Sequence, residues 1–183
     1  EFRRVLFRSR LHVDQVLLYG LGLDMRVYRD RLQNLIDVQS GTRYMSNVAD
    51  STHKGLDAQL RWKPAAHTFV VLNYAQLHID TTHPQSQYFP EQVVALLLSH
   101  RVGNGVDVSL AHYRSDAFVS YDKNRPPNYR RIDFRIAKEF KLEGNKANLA
   151  YVLQHADGAD YEYDPQNFKS ASRQSLFQFQ MEF

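Results

Sequence analysis

Apolar and polar residues alternate along most of this chain, and this period of two restricts the fold more than any other feature. Leu21, Leu23, Met25 and Val27 alternate with Gly22, Asp24, Arg26 and Tyr28. The last residues, SLFQFQMEF, alternate in the same way. Because successive side chains of a strand point to opposite faces, the pattern predicts strands with one apolar and one polar face.

Turn residues divide the alternating segments into strands. KPAAH, GNG and EGNK are short connections, whereas 81–90, 117–128 and 157–170 are long and rich in Tyr, Asp, Pro and Asn. Several strands reach about ten residues or more, although strands of globular proteins most often have about five or six. The sequence therefore predicts an all-β antiparallel meander of about eight or nine long strands.

Composition excludes several classes of function. The chain has no cysteine, which removes disulfides, thiol catalysis and cysteine-ligated zinc. Lys and Arg number 23 against 20 Asp and Glu, a balance that does not indicate nucleic-acid binding. No apolar run approaches the ~18 residues of a membrane-spanning helix. The mean hydropathy of −0.52 is that of a polar chain, yet a membrane β-barrel also averages to polar because its two faces alternate.

Connections that are alternately short and long are typical of outer-membrane barrels. Aromatic residues cluster at strand ends beside the long connections: Tyr88, Phe89, Tyr113, Phe118, Tyr121 and Tyr129. Amphipathic rings suit a membrane interface, although aromatic residues are frequent in any sheet. The polar faces carry neighbouring charges of opposite sign, such as Asp57 with Arg61 and Asp133 with Arg135. The aromatic pattern favours a membrane barrel over a soluble sheet.

The first nine residues, EFRRVLFRS, show no period and no turn chemistry. Residues 5–9 are what a common sequencing adapter gives when translated in one frame. We therefore interpret residues 1–9 as an assembly artefact and expect them to be unstructured. On this hypothesis residues 10–183 are the tail end of a longer gene product.

Several phrases, taken in order, resemble strands of TonB-dependent outer-membrane receptors. They are LDMRVYRDRLQNLID, NVADSTHKGLDAQLRWKP, FVVLNYAQLHID, YRRIDFRIAKEF, ANLAYVLQHADGADYEY and the closing strand with its terminal Phe. Together they extend over residues 21–183; the fifth phrase keeps only an Asp and a Tyr of the usual pattern. The resemblance implies that residues 10–183 are the C-terminal part of a large barrel, of the 22-stranded type with a plugged lumen. The plug domain and the N-terminal strands are absent from this sequence.

The resemblance also implies a function in the outer membrane of Gram-negative bacteria. That function is energised uptake of a scarce ligand: an iron-siderophore, haem, cobalamin or a glycan. The implied partners are outer-membrane lipid, the TonB complex through the missing N-terminal region, and the barrel assembly machinery through the last strand. Phe177, Phe179, Met181 and Phe183 would form the assembly signal. No nucleic acid, cofactor or enzymatic activity is implied.

Candidate ligand contacts lie in the long loops, where binding residues of rigid scaffolds concentrate. They are His83, Tyr121, Lys123, Arg125, Tyr161 and Tyr163. No catalytic or metal site is predicted, because the sequence has no His-x-His pair, G-x-S-x-G motif or phosphate-binding glycine motif in a suitable context.

Two alternatives remain open. A complete eight-stranded barrel would close on itself around a tightly filled interior. A soluble all-β binding module or enzyme would bury its apolar face against a second sheet or a helix. A wall segment of a large barrel would instead be an open sheet with two unpaired edges and a bare apolar band.

Overall fold

The architecture comes from a computed structural model, which describes residues 6–17, 20–38, 44–81, 89–117, 128–157 and 173–182. These residues form nine strands: β1 (Leu6–Leu17), β2 (Leu21–Val38), β3 (Met45–Ala65), β4 (Thr68–Thr81), β5 (Gln92–Gly103), β6 (Val106–Ser115), β7 (Tyr129–Leu142), β8 (Asn145–Gln154) and β9 (Gln174–Glu182). All nine belong to one sheet in sequence order, and neighbours run antiparallel. The predicted all-β meander is confirmed. Among these residues no helix is long and apolar enough to cross a membrane.

The sheet is open. In the part of the chain that the structure describes, β1 pairs only with β2 and β9 only with β8. A closed eight-stranded barrel would need a ladder between its first and last strands, so this alternative does not fit.

The start of the chain differs from the expectation for residues 1–9. Residues 6–9 belong to β1, where Leu6 lies opposite Leu32 and Ser9 opposite Arg29. The prediction of an unstructured segment is therefore wrong for these four positions. Backbone ladders need no side-chain period, and a long neighbouring strand such as β2 offers its N–H and C=O groups to any extended segment. That residues 1–9 are an artefact stays a prediction.

Connections alternate in length along the sheet, as predicted. The described residues of the short ones, Gly20, 66–67, 104–105 and 143–144, lie at one edge, which we call the turn end. Two of them pair a left-handed residue with glycine, Asn104 (φ 49°) with Gly105 (φ 71°) and Glu143 (φ 52°) with Gly144 (φ 89°). Positive φ at both positions gives the hairpin turn whose twist matches that of the strands. The described strand ends that precede the longer connections, Val38, Thr81, Ser115 and Gln154, lie at the opposite edge, which we call the loop end.

Cross-strand register places most of the apolar residues of β2–β9 on one face. Leu23, for example, lies opposite Leu60, which lies opposite Leu72 and then Leu96. This apolar face is bare: Phe177 is 78% exposed and Phe179 57%. Among the described side chains the only buried apolar ones are Ala137, Ala147 and Ala150. A soluble module would cover such a face, so the soluble alternative does not fit either.

The apolar band crosses the strands obliquely. A ladder row starts at Leu21 and passes through Trp62, Val70, Leu98, Leu110, Phe134 and Leu153 to Ser175. On β2 the apolar positions extend from Leu21 towards the loop end. On β9 they extend from Phe177 to Met181, on the turn side of Ser175. The band therefore shifts by about one residue per strand relative to the ladder, counted from these register pairs.

This shift measures the slope of the strands. One residue is a rise of about 3.3 Å, and neighbouring strands are about 4.8 Å apart, which together give a slope of about 35°. Strands of membrane barrels tilt by about 35–45° to the barrel axis. A level apolar band on sloping strands is the geometry of a barrel wall in a planar bilayer.

Candidate ligand-binding groove

The polar face carries a row of six residues from six successive strands. Asp24, Gln59, Asn73, Ala95, Tyr113 and Arg131 lie directly opposite one another from β2 to β7. Two cavities of about 540 and 520 Å³ flank this row and share Asn73 and Ala95 in their linings. They form one open groove, which we call the polar groove.

Amide groups line the middle of the polar groove. Gln59 Nε2 donates a hydrogen bond to Asn73 Oδ1 at 2.7 Å, across the β3–β4 ladder. Arg61 is the next residue after Gln59 on the same face of β3. Its Nε donates a hydrogen bond to Gln59 Oε1. This chain of hydrogen bonds fixes the orientation of both amides and holds the Arg61 guanidinium at the surface of the groove.

A guanidinium–carboxylate pair occupies the end of the groove at β2 and β3. Arg26 Nε donates to Asp57 Oδ2 at 2.9 Å, and Arg26 Nη2 donates to the same oxygen. The Arg26 guanidinium also lies over the ring of Tyr28, 5.2 Å from its centroid. With 43% of its side chain exposed, Arg26 is positioned by two contacts and still accessible to a ligand.

Aromatic rings and a second guanidinium pair form the end of the groove at β6 and β7. The rings of Tyr113 and Tyr129 meet edge to face at 5.5 Å, and Tyr129 meets the His155 ring at 6.3 Å. Arg131 Nε donates to both carboxylate oxygens of Asp133 at 2.8 and 2.9 Å. Tyr113 is 38% exposed, so the aromatic wall is open on the side of the groove.

Asp133 also fixes the turn that follows β8. Its Oδ1 accepts a hydrogen bond from the backbone N–H of His155 at 3.1 Å. His155 has a φ of 52°, a left-handed conformation that histidine adopts uncommonly, and it is only 3% exposed. One carboxylate thus holds both the Arg131 guanidinium and the backbone at the loop end of β8.

The groove combines cations, amides and phenols, which together can bind a polar ligand that carries anionic oxygens and aromatic rings. Guanidinium groups bind such oxygens through charge-assisted hydrogen bonds, and tyrosine rings pack against aromatic groups. Among the described residues there is no group of three or more His, Asp or Glu that could hold a metal ion.

The loop residues proposed from the sequence, His83, Tyr121, Lys123, Arg125, Tyr161 and Tyr163, lie outside the described residues, as does Phe183. Their roles stay predictions. Phe177, Phe179 and Met181 lie on the apolar face of β9; their role in assembly also stays a prediction.

The groove residues and their ion pairs were not identified from the sequence. Asp57 is held by Arg26 of the neighbouring strand rather than by Arg61, and Asp133 by Arg131 rather than by Arg135. The alternation assigned these residues to a polar face. Which of these residues form ion pairs depends on the register between neighbouring strands. The alternation of apolar and polar residues does not determine that register.

The fold and its two unlike faces define a class: a segment of the wall of a large antiparallel β-barrel. Three solved structures share this fold. The ferric-catecholate import receptor Fiu of Escherichia coli K12 superposes with a TM-score of 0.73 at 13% identity, over 94% of this chain and 27% of that one. BauA, the ferric preacinetobactin receptor of Acinetobacter baumannii, gives 0.71 at 12% identity, over 95% and 29%. The siderophore receptor PiuA of the same species gives 0.68 at 19%, over 93% and 26%.

At these identities the likeness shows the fold: this chain is built like part of the barrel of TonB-dependent siderophore receptors. It spans between 26% and 29% of the length of those chains. At the level of sequence no family model matches. None of the curated proteins matches significantly.

Proposed function

We propose that this chain is part of the barrel wall of a TonB-dependent outer-membrane receptor that takes up a ferric siderophore in a Gram-negative bacterium. The observation that carries the proposal is the fold match over 93% or more of the chain to three receptors for ferric chelates. The oblique apolar band adds independent support, because it fits sloping strands in a planar bilayer.

The polar groove supports a siderophore over the other scarce ligands considered. Siderophores bind iron through catecholate, hydroxamate or carboxylate oxygens, and many of their ferric complexes are anionic. Arg26, Arg61 and Arg131 offer three guanidinium groups along the groove, and Tyr113 offers a ring. We include the loop residues His83, Tyr121, Lys123, Arg125, Tyr161 and Tyr163 as further contacts from the loop end.

The proposed partners follow from the same function. Outer-membrane lipid would cover the apolar face, and the TonB complex would supply energy through a region outside this sequence. The barrel assembly machinery would bind β9, whose residues Gln174–Gln180 are all exposed and whose outer edge makes no ladder among the described residues. The role is binding and transport, without an enzymatic step.

Uptake of radioactive iron tests the proposal. The gene is deleted in its host, and cells starved of iron receive the isotope as ferric catecholate, ferric hydroxamate or haem. We expect deletion to abolish uptake of one ferric siderophore, and deletion of TonB to have the same effect. Uptake that is unchanged by deletion would overturn the proposal. A loss confined to haem would show that the receptor takes up haem and not a ferric siderophore.

A second arm tests the groove. Complementation with Arg131→Gln should reduce uptake at low ligand concentration more than at saturation, because the lost guanidinium contributes to binding. Lys141→Gln is the matched control: Lys141 is exposed on the same face of β7, near the turn end and outside both cavities. Equal effects of the two substitutions would remove the groove from the proposal.

A further inference from the structure

A further cavity opens on the polar face near its turn end, separate from the polar groove. Its volume is about 260 Å³, and it shares no lining residue with either part of the groove. Phe69 of this cavity and Asn73 of the groove are four residues apart on β4, about 13 Å along the strand. We call this cavity the turn-end pocket. Its lining includes Lys63, Phe69, Ser99, Arg101 and Asp107.

Two cations from different strands line the turn-end pocket. Lys63 is the next residue after Arg61 on the polar face of β3, and Arg101 lies near the turn end of β5. Both residues are exposed. In the part of the chain that the structure describes, Lys63 makes no ion pair and no side-chain hydrogen bond. The charge of Lys63 is therefore available to a ligand.

The Arg101 guanidinium is held in place and still has donors to offer. Its Nε and Nη2 donate hydrogen bonds to the two carboxylate oxygens of Asp107 at 2.9 and 3.0 Å, and Nη2 lies 3.7 Å from Glu139 Oε2. A guanidinium carries five N–H donors, and among these contacts both donors of Nη1 remain unused. Because 48% of the Arg101 side chain is exposed, a ligand can reach them.

A hydroxyl group and an aromatic ring complete the lining. Ser109 Oγ donates a hydrogen bond to Ser99 Oγ at 3.1 Å, so the Ser99 hydroxyl can donate its own proton to a ligand. Phe69 lies directly opposite Ser99 in the ladder. The pocket thus suits anionic oxygens on a carbon framework. Its volume is below the ~300 to 1,000 Å³ of most small-molecule sites, so it fits one arm of a chelate and not a whole chelate.

We propose that the turn-end pocket is a second ligand subsite, which binds an anionic-oxygen arm of the ligand after the ligand leaves the polar groove towards the turn end. This inference rests on the proposed function, which supplies the groove with its ligand. Arg61 lines the groove and Lys63 lines the pocket, and two residues along a strand are about 7 Å apart. A ligand oxygen that leaves Arg61 therefore meets the next cation within a short distance.

The carboxylates beside the pocket make the two cations necessary for this step. Without Lys63 and Arg101, the carboxylates of Asp107 and Glu139 would face the ligand without a compensating guanidinium. Like charges repel, so an anion would then meet a barrier at the turn end. The two cations are thus expected to affect passage of the ligand and not its first binding in the groove.

Direct binding of an oxyanion tests the subsite. The full receptor is purified from outer membranes and crystallised with selenate, whose selenium is located by anomalous diffraction. We expect a selenium peak beside Lys63 Nζ and Arg101 Nη1 in the unmodified receptor, and no peak there after Lys63→Gln with Arg101→Gln. The matched control is Lys141→Gln with Lys146→Gln, which removes two exposed cations that lie opposite each other near the same end, outside the pocket. The control should keep the peak. No peak in the unmodified receptor, or an equal peak in the Lys63 and Arg101 variant, would overturn the inference.

Binding and uptake of ferric siderophore on the same variants test the role in passage. We expect the Lys63 and Arg101 variant to bind the siderophore at the cell surface as the unmodified receptor does, but to reach a maximal uptake rate about tenfold lower, because hydrogen bonds to charged groups contribute at least that factor. Arg101→Lys, which keeps the charge, should retain most of the rate, and this variant separates loss of charge from loss of folding. An unchanged maximal rate in the Lys63 and Arg101 variant, or an equal loss in the control, would contradict the subsite. Absent uptake by the unmodified receptor would instead contradict the proposed function, and the selenate result would still decide whether the pocket binds anionic oxygens.

Discussion

The ring of Tyr28 on β2 covers Gly55 on β3, its direct partner in the ladder. A Cβ atom at Gly55 would lie 2.2 Å from Cζ of Tyr28 and 2.3 Å from its hydroxyl oxygen. The ring therefore occupies the space that any other residue would fill, as aromatic residues do over glycines in sheets. The same ring lies beneath the Arg26 guanidinium. Gly55 therefore sets the position of the Tyr28 ring and, through it, that of the Arg26 guanidinium.

Gly55→Ala should displace the Tyr28 ring and lower the free energy of unfolding by about 1–3 kcal/mol, the usual cost of overpacking. Urea unfolding in lipid bilayers, followed by tryptophan fluorescence, measures the change. Gly22→Ala is the control, since a Cβ there would meet only the backbone oxygen of Arg61 at 4.0 Å. Equal stability of the two variants would show that the ring can move aside freely.

A positive charge should destabilise the fold far more on one face of β9 than on the other. Phe179→Arg puts a cation on the apolar face, and it should cost about 2–4 kcal/mol if that face meets the bilayer core. Gln178→Arg puts the same side chain on the polar face and should cost much less. The folded fraction of each variant is read from its heat-dependent mobility on gels. Similar losses for both positions would contradict the assignment of the faces.

The Arg26–Asp57 pair should show measurable coupling despite its exposure. With 43% and 34% of the two side chains exposed, solvent screens the pair and keeps the coupling small. A double-mutant cycle with Arg26→Gln and Asp57→Asn, scored by unfolding, measures it. The Arg114–Asp116 pair, 3.9 Å apart, should give a smaller value in a parallel cycle. A larger coupling there would mean that contact geometry does not set the strength of these pairs.

Removing the Asp133 carboxylate should loosen the backbone after β8. Asp133→Ala takes away the acceptor of both the Arg131 guanidinium and the His155 N–H. A buried donor left without a partner costs about 1–3 kcal/mol. Limited proteolysis should therefore cut the 155–173 connection faster than in the unmodified protein. Asp80→Ala, at an exposed position near the loop end of β4, should leave the rate unchanged; equal acceleration by both would contradict the role of Asp133.

The alternating sequence predicts the strands and the short turns well, because both depend on neighbouring residues. Asn104–Gly105 and Glu143–Gly144 are hairpin turns, as the GNG and EGNK segments indicate. The pairing of Arg26 with Asp57 depends instead on the register of two strands whose pairing residues are 31 positions apart. Several registers preserve the same faces, so the alternation alone cannot select one.

The polar groove was missed for the same reason. Asn73, Tyr113 and Arg131 come from three strands and become neighbours only through a chain of register pairs. The sequence predicts ligand contacts in the long loops instead, because binding residues often concentrate there. No sequence motif on the strands marks these three residues as ligand contacts.

The slope of the strands also bears on the width of a barrel with such a wall. If that barrel had 22 strands, as the resemblance implies, strands about 4.8 Å apart and sloping at about 35° would form a cylinder about 40 Å across, measured between backbones. A small iron chelate is about 10 Å wide, so it would pass such a cylinder without touching most of its surface. The number and the slope of the strands together thus imply that the wall of such a barrel would not sieve solutes by size. Discrimination among them has to come from groups that project into the opening.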